Sequence, residues 1–303
     1  MTLTDELDHL RDGRAVVDRS DRGFVVVSGP DALSFLQVLV SADLDAVAAG
    51  EGTPCLLLTP QGKLDVAFRL LRVGDDAWLD CDPGFGGQLA ASLLRFRIRV
   101  DADVADRTGE FGMRSSYGDA PVSVAPALHA HRAVGDARVV RTPWGFDLLG
   151  PLAAVADAAR DLEDDRVEVS AAAYDAWRIA HGVPVQPFDV DEHTIPQEAS
   201  LELDAVSFTK GCFLGQELVC RIDSRGHVNR FLRRLVDITG DRPARGAEIV
   251  ADGKAVGAVT SVVPAGAPAG ALGYVRREVE PGSVVELRGR GTPARAVVAE
   301  LDD

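Results

Sequence analysis

Short apolar runs, each bounded by glycine, proline or acidic turns, punctuate this chain. Phe24-Val25-Val26-Val27 predicts a buried strand, and Ser28-Gly29-Pro30-Asp31 turns it into a helix over Ala32 to Val40, where apolar residues recur at helical spacing. Cys55-Leu56-Leu57-Leu58 predicts a second buried strand. Thr59-Pro60-Gln61-Gly62 is a turn and Lys63 to Arg72 continues as a strand, which makes a hairpin. Gly74-Asp75-Asp76 leads into a strand at Ala77 to Cys81, then a helix over Pro83 to Phe96 and a strand over Arg97 to Val104. This succession describes a compact α+β unit spanning roughly residues 51 to 105.

Residues 118 to 136 carry little periodicity and read as loop. Val139-Val140-Arg141 and Gly145 to Leu149 predict short strands. A helix follows over Pro151 to Leu162, with proline in its first turn. Another spans Ser170 to His181, with Ser170 as N-cap and Gly182 as stop. From Arg234 onward β-branched runs (Leu235 to Ile238, Ala255 to Val263, Val284 to Leu287, Ala296 to Ala299) alternate with turns, the pattern of a small all-β barrel or sandwich. No internal repeat is visible.

Composition narrows the class. A chain of 303 residues with 46% hydrophobic and 26% charged residues is long enough for two or three domains of an ordinary soluble protein. No apolar run reaches the roughly 18 residues of a membrane helix. The acidic start, Met1 to Asp8, is unlike a signal peptide, so a cytoplasmic protein with no membrane partner is expected. A net charge of −15 argues against direct DNA binding over the whole surface, which needs a positive footprint. Cys55, Cys81, Cys212 and Cys220 form no C-x-x-C pair, and the histidines no H-E-x-x-H grouping, so no stable metal site is expected.

One octapeptide stands apart: Lys210-Gly211-Cys212-Phe213-Leu214-Gly215-Gln216-Glu217. A thiol reacts as thiolate, favoured by a nearby cation or a helix N-terminus. Lys210 is two residues from Cys212, and the spacing of Leu214, Leu218, Val219 and Ile222 predicts a helix from about Gly215. The segment holds an activated thiol, a ligand to a cofactor or transient metal, or a small buried residue in a tight turn; its glycines suit any of these. Gln216 and Glu217 can read a heterocycle or merely open a helix. Arg221, Arg225, Arg230, Arg233 and Arg234 reverse the sign of the chain locally, to receive a polyanion or to pair with nearby acids. Arg95, Arg97 and Arg99 would share one face of a strand. Asp65, inside an apolar strand, is either a base that handles an amine or an exposed carboxylate.

The octapeptide closely resembles the K-G-C-[FY]-x-G-Q-E signature of YgfZ-type folate-binding proteins, relatives of the glycine-cleavage T-protein (aminomethyltransferase). Ile195-Pro196-Gln197-Glu198 matches the I-P-Q-E upstream of it, and Asp191-Glu192-His193-Thr194 resembles the D-E-H-T of T-proteins. Val27 to Ala32 with Phe35-Leu36, and Gly257 to Ser261, are similar to the family's opening and to its barrel. The resemblance implies an α+β, three-part, ring-like architecture. Its parts would be a discontinuous folate-binding core (1–50 with 140–230), a ferredoxin-like part (51–139) and a C-terminal small β-barrel (231–303). It implies binding of tetrahydrofolate, polyglutamylated forms included, by Arg178, Gln197, Glu198, Gly211, Gly215, Gln216, Glu217 and Arg225. It implies Cys212, Lys210 and Asp65 as the chemical residues, and a role in assembling or repairing iron–sulfur clusters, tRNA-modifying enzymes among the beneficiaries. Partners would be iron–sulfur client proteins or assembly factors.

Two departures bear on the folate site. Relatives carry Arg-x-Glu-Ala-Gly where this chain has Arg178-Ile179-Ala180-His181-Gly182, so the glutamate that holds the pterin is missing and His181, Gln197 or Glu198 would substitute. The second acid of the T-protein pair is Val66 here. The alternatives are a folate-dependent aminomethyltransferase or demethylase, and a non-catalytic adaptor that has lost folate.

Overall fold

The apolar runs pair into two open sheets and one closed barrel. The computed structural model describes residues 1–121, 123–289 and 292–301. In chain order its elements begin with α1 (Leu3–Arg11), β1 (Ala15–Asp18), β2 (Gly23–Ser28), α2 (Ala32–Gln37), β3 (Gly52–Leu58), β4 (Leu64–Val73), β5 (Asp76–Cys81) and α3 (Gly86–Leu94). They continue with β6 (Asp103–Asp106), β7 (Phe111–Tyr117), β8 (His131–Val134), β9 (Ala137–Thr142), β10 (Gly145–Pro151), α4 (Leu152–Leu162), β11 (Val167–Glu168) and α5 (Ala171–Ala180). The rest are α6 (Glu202–Ala205), α7 (Gln216–Arg225), β12 (Arg230–Thr239), β13 (Glu248–Ala251), β14 (Lys254–Val262), β15 (Ala271–Arg276), β16 (Val284–Arg288) and β17 (Ala294–Ala299). No helix among the described residues is long and apolar enough to cross a membrane.

Contacts divide the chain into two units. The first holds His9–Val169 and Glu202–Glu217. Its five-stranded antiparallel sheet has the order β3-β4-β5-β2-β6. Alternation along β4 puts Leu64, Val66, Phe68 and Leu70 on the buried face and leaves Asp65, Ala67 and Arg69 on the other. α2 and α3 close that core with Phe35, Leu36, Leu89 and Leu93. The second sheet has the order β11-β1-β7-β10-β9-β8 and is covered by α4, whose Val155 and Ala158 meet Val139, Phe146 and Leu148. A buried ionic chain ties the two sheets. Arg69 donates to Asp80 at 2.8 Å and to Asp147 at 2.7 Å, and Arg22 donates to Asp80 and Asp82. Burial opposes the charge on Asp80, but Arg69 and Arg22 overcome it and hold the carboxyl below its ordinary range.

The second unit holds Met1–Asp8, Ser170–Leu201 and the chain from Leu218 onward. Its barrel closes in the order β12-β15-β14-β13-β16-β17, around Leu235, Ile249, Val259, Val275, Leu287 and Val298. Closure removes the free edges that short strands would otherwise expose. The expected α+β class with a C-terminal barrel is therefore what the chain adopts.

Several local expectations are corrected. α2 stops at Gln37 because Val40 leaves the helix to bridge Leu57 of β3. Pro151 is the cap of α4 and not its first helical residue. The predicted strand Arg97 to Val104 is strand only from Asp103. Before it the chain turns from α3, with Arg99 left-handed at φ 57°, because Asp101 must meet Asp31 at the end of β2. Arg95, Arg97 and Arg99 therefore share no strand face.

Candidate functional site

The Lys210–Glu217 loop is anchored at both sides of its thiol. The Lys210 ammonium donates to the carbonyl oxygens of Gln37 (2.7 Å), Val40 (2.9 Å) and Ala42 (2.5 Å), where α2 ends, and sits 3.2 Å from Gln37 Oε1. Cations suit that end of a helix, where carbonyls lack partners. Burial pulls the Lys210 pKa down, with Cys55, Asp43 and Asp45 pulling it back up. The cation expected to assist Cys212 is thus turned to the backbone of α2.

On the other side, Phe213 is buried and its N–H donates to Gln216 Oε1 at 3.2 Å, while Leu214 packs on the core of the first sheet. Gly215 has φ 77°, and a Cβ there would lie 2.3 Å from the Thr59 carbonyl oxygen in the β3–β4 turn. Gly211 has open space around it and no positive φ. Between these anchors Cys212 is exposed, whereas Cys55 and Cys81 are buried and burial pushes both thiols up, Cys81 to about 12. Glu217 is exposed in the first turn of α7. Among the described residues no group of three or more His, Cys, Asp or Glu is placed to hold a metal.

Asp65 lies on β4 of the same unit. Its carboxylate accepts from Gln88 Nε2 and Ser92 Oγ, both at 2.7 Å, with Arg95 3.7 Å away. It is neither unpartnered nor simply solvated.

The remaining candidates belong to the second unit. Arg178 on α5 is buried; it donates to Asp175 (2.6 Å), Asp189 (2.9 Å), Ser261 (3.2 Å) and the Val183 carbonyl. Glu198 takes two hydrogen bonds from Arg230, at 3.1 and 3.0 Å, and a third from the Ile195 N–H. Both residues are thereby committed to internal frames. Gln197 differs: its Nε2 donates to the Val219 carbonyl at 2.9 Å, while its Oε1 is buried with no hydrogen-bond partner. A buried acceptor left open calls for a donor from elsewhere. His181 stacks on Trp177 and donates through Nδ1 to its carbonyl. Arg225 is exposed at the end of α7.

Asp189 was missed by sequence reasoning. It is 1% exposed, and its carboxylate collects Arg178, the Val185 N–H and Thr260 Oγ1 (2.6 Å). The only sequence signal was an acid beside Phe188 and Val190.

No protein-family model matches the chain. The structure of glycine cleavage system aminomethyltransferase T from Bartonella henselae superposes with a TM-score of 0.84, covering 99% of this chain and 89% of that one at 21% identity. The fold is thus that of the T-protein superfamily. In sequence the chain is 29% identical over 242 residues to the tRNA-modifying protein YgfZ of Serratia proteamaculans (75% of this chain, 72% of the relative). To that of Edwardsiella ictaluri it is 30% identical over 225 residues (68% and 66%). The chain belongs to the YgfZ-type family of that superfamily. It is also 27% identical over 217 residues to the mitochondrial iron–sulfur cluster assembly factor IBA57 homolog of Pyricularia oryzae, spanning 69% of this chain but about half (54%) of that relative.

Proposed function

We propose that this chain supports the assembly or repair of iron–sulfur proteins, tRNA-modifying enzymes included, as a tetrahydrofolate-binding protein whose functional thiol is Cys212. The observation that carries the reading is the presentation of that thiol: exposed, on a loop fixed by Lys210 on one side and by Phe213 and Gly215 on the other. A fixed, accessible sulfur can meet a cluster or a client, whereas Cys55 and Cys81 cannot. The names of the YgfZ and IBA57 relatives point the same way. Lys210 serves by positioning the loop.

The open Gln197 Oε1 fits a pterin, whose ring and amino N–H groups are donors. Gln197 would hold the ring in place of the carboxylate absent at Ala180, and the exposed Arg225 would meet the glutamate tail. Gly211, Gly215, Gln216 and Glu217 complete the loop beside the thiol. When bound, tetrahydrofolate supplies a carrier for one-carbon groups. Localisation in the cytoplasm belongs to the same reading.

The test is replacement of Cys212 by alanine in a strain that depends on this chain. Iron–sulfur enzyme activity and methylthiolated tRNA should fall while the protein remains folded; normal levels of both would reject the thiol role. Calorimetric titration with tetrahydrofolate tests the cofactor separately. Loss of binding in Gln197→Leu supports the pterin contact, and no binding by the wild-type chain favours an adaptor without folate. A folate-dependent aminomethyltransferase or demethylase is the second reading, favoured by Asp65, whose carboxylate is buttressed by Gln88 and Ser92. Turnover of tetrahydrofolate with an amine panel decides it.

A further inference from the structure

On the second unit a groove of about 490 Å³ opens between the Phe188–Asp191 segment and strands β12, β14 and β15 of the barrel. That is room for a small molecule. Its framework is fixed by hydrogen bonds: Asp189 and Thr260 lie in its wall, Thr260 Oγ1 donating to Asp189, which also accepts from the buried Arg178. Phe188 stands at its edge, 48% exposed, with the Arg245 guanidinium 4.1 Å from the ring centroid. Ala255, Val256 and Ala258 add apolar surface. Burial pushes the Tyr274 phenol up to about 12, with Thr194 and Arg230 drawing it down, so it lines the groove as a neutral group.

The charges in this groove do not cancel one by one. Asp189 is matched by Arg178, and Arg230 by Glu198. Two charged groups are left over. Arg276 is exposed and its guanidinium has no partner among the described residues. It lies directly opposite Arg230 in the β12–β15 pairing, which sets two like charges side by side on one face. Glu198 offsets the charge of Arg230, so the uncompensated cation of this pair is Arg276, open to an anion. The second is Asp191. Its Oδ1 accepts from the His193 N–H (2.9 Å) and Thr194 Oγ1 (3.2 Å), and its other oxygen accepts no hydrogen bond among the described residues, although its charge also acts on Arg230.

We propose that this groove binds a free α-amino acid with an apolar side chain. The carboxylate bridges Arg276 and Arg230, the ammonium meets Asp191, and the side chain lies against Phe188 and Val256. The proposal stands apart from the folate reading, because it uses neither Cys212 nor Gln197.

The experiment is calorimetric titration of the full chain with L-phenylalanine, with 3-phenylpropanoate, which lacks the ammonium, and with 2-phenylethylamine, which lacks the carboxylate. Phenylalanine should bind, and each analogue should bind about tenfold more weakly or worse. Arg276→Ala and Asp191→Asn should each weaken phenylalanine by about the same factor, with urea midpoints unchanged. The proposal is overturned if no apolar amino acid binds at millimolar concentration, if the analogues bind as well, or if both variants bind as the wild type does. Displacement of phenylalanine by tetrahydrofolate overturns it too. Phenylalanine binding to a chain that takes no folate supports it while rejecting the folate reading.

Discussion

The two glycines flanking Cys212 should respond in opposite ways to a single methyl group. At Gly215 the backbone is left-handed, φ 77°, which costs an alanine about 1–2 kcal/mol. Its Cβ would also lie 2.3 Å from the Thr59 carbonyl oxygen, 2.9 Å from Leu58 Cβ and 3.2 Å from Gly62 Cα. Two of these are backbone atoms in a tight turn, so the neighbours cannot swing aside. Forced packing of this kind adds about 1–3 kcal/mol. Gly215→Ala should therefore destabilise by about 2–5 kcal/mol, which moves a urea midpoint down by roughly 1 M. At Gly211 a Cβ meets nothing within 4 Å and φ is not positive. Gly211→Ala should stay within about 0.5 kcal/mol of wild type. Urea unfolding followed by circular dichroism measures both. Equal shifts, or a Gly215→Ala shift below about 0.5 kcal/mol, would refute the claim that the loop is held against the β3–β4 turn.

Asp189→Asn should cost about 3 kcal/mol in urea unfolding, because it removes the buried partner of Arg178 and leaves it only the half-exposed Asp175. Lys210→Arg should destabilise almost as much as Lys210→Met, by about 2 kcal/mol or more, read from the same midpoints. Burial, with Arg138 adding to it, lowers the His131 pKa to about 4 from 6.5. The folded state therefore favours the neutral ring. Stability is complete above pH 6.5 and falls as pH drops from there towards 4, by up to about 1.4 kcal/mol per pH unit for one proton. Burial lowers His129 to about 4 as well, so His131→Gln should roughly halve the pH dependence of the urea midpoint between pH 6.5 and 5; an unchanged slope there would contradict the assignment.

The elements legible in the sequence were those whose pattern is local. The β3–β4 hairpin, the cap at Ser170 and the four barrel runs each show a period or a turn within a few residues. Ser170 indeed accepts from the Ala173 N–H. β7 has no legible period and carries no sequence-based assignment, because Gly112, Arg114, Ser115 and Ser116 interrupt its apolar residues. Their polarity is satisfied by residues far along the chain: Ser115 by Asp147, Ser116 and Arg114 by Glu163. The same distance hid the meaning of the charged candidates. Arg178 and Glu198 read as ligand contacts, yet their partners Asp189 and Arg230 lie 11 and 32 positions away. Spacing reports who shares a helix or strand face; it does not report which charges are already matched. Gln197 shows the converse, since only the structure separates its bonded nitrogen from its open oxygen.

Lys210 shows how a residue can be chosen for geometry and look chosen for reactivity. Of 32 basic residues only Lys63, Lys210 and Lys254 are lysine, so an arginine would be the default at any position that merely needs charge. The end of α2 needs something else. Three carbonyl oxygens, from Gln37, Val40 and Ala42, converge on one nitrogen at 2.5 to 2.9 Å. An ammonium has three N–H donors arranged about a point and can serve all three at once. A guanidinium spreads its donors in a plane and cannot gather them onto converging oxygens. The lysine of the octapeptide is therefore explained without any part in thiol chemistry. The glycine at 215 is explained by contact with the Thr59 turn. Neither the exposure of Cys212 nor the open space at Gly211 has such a packing explanation, and these two residues are where function should be sought.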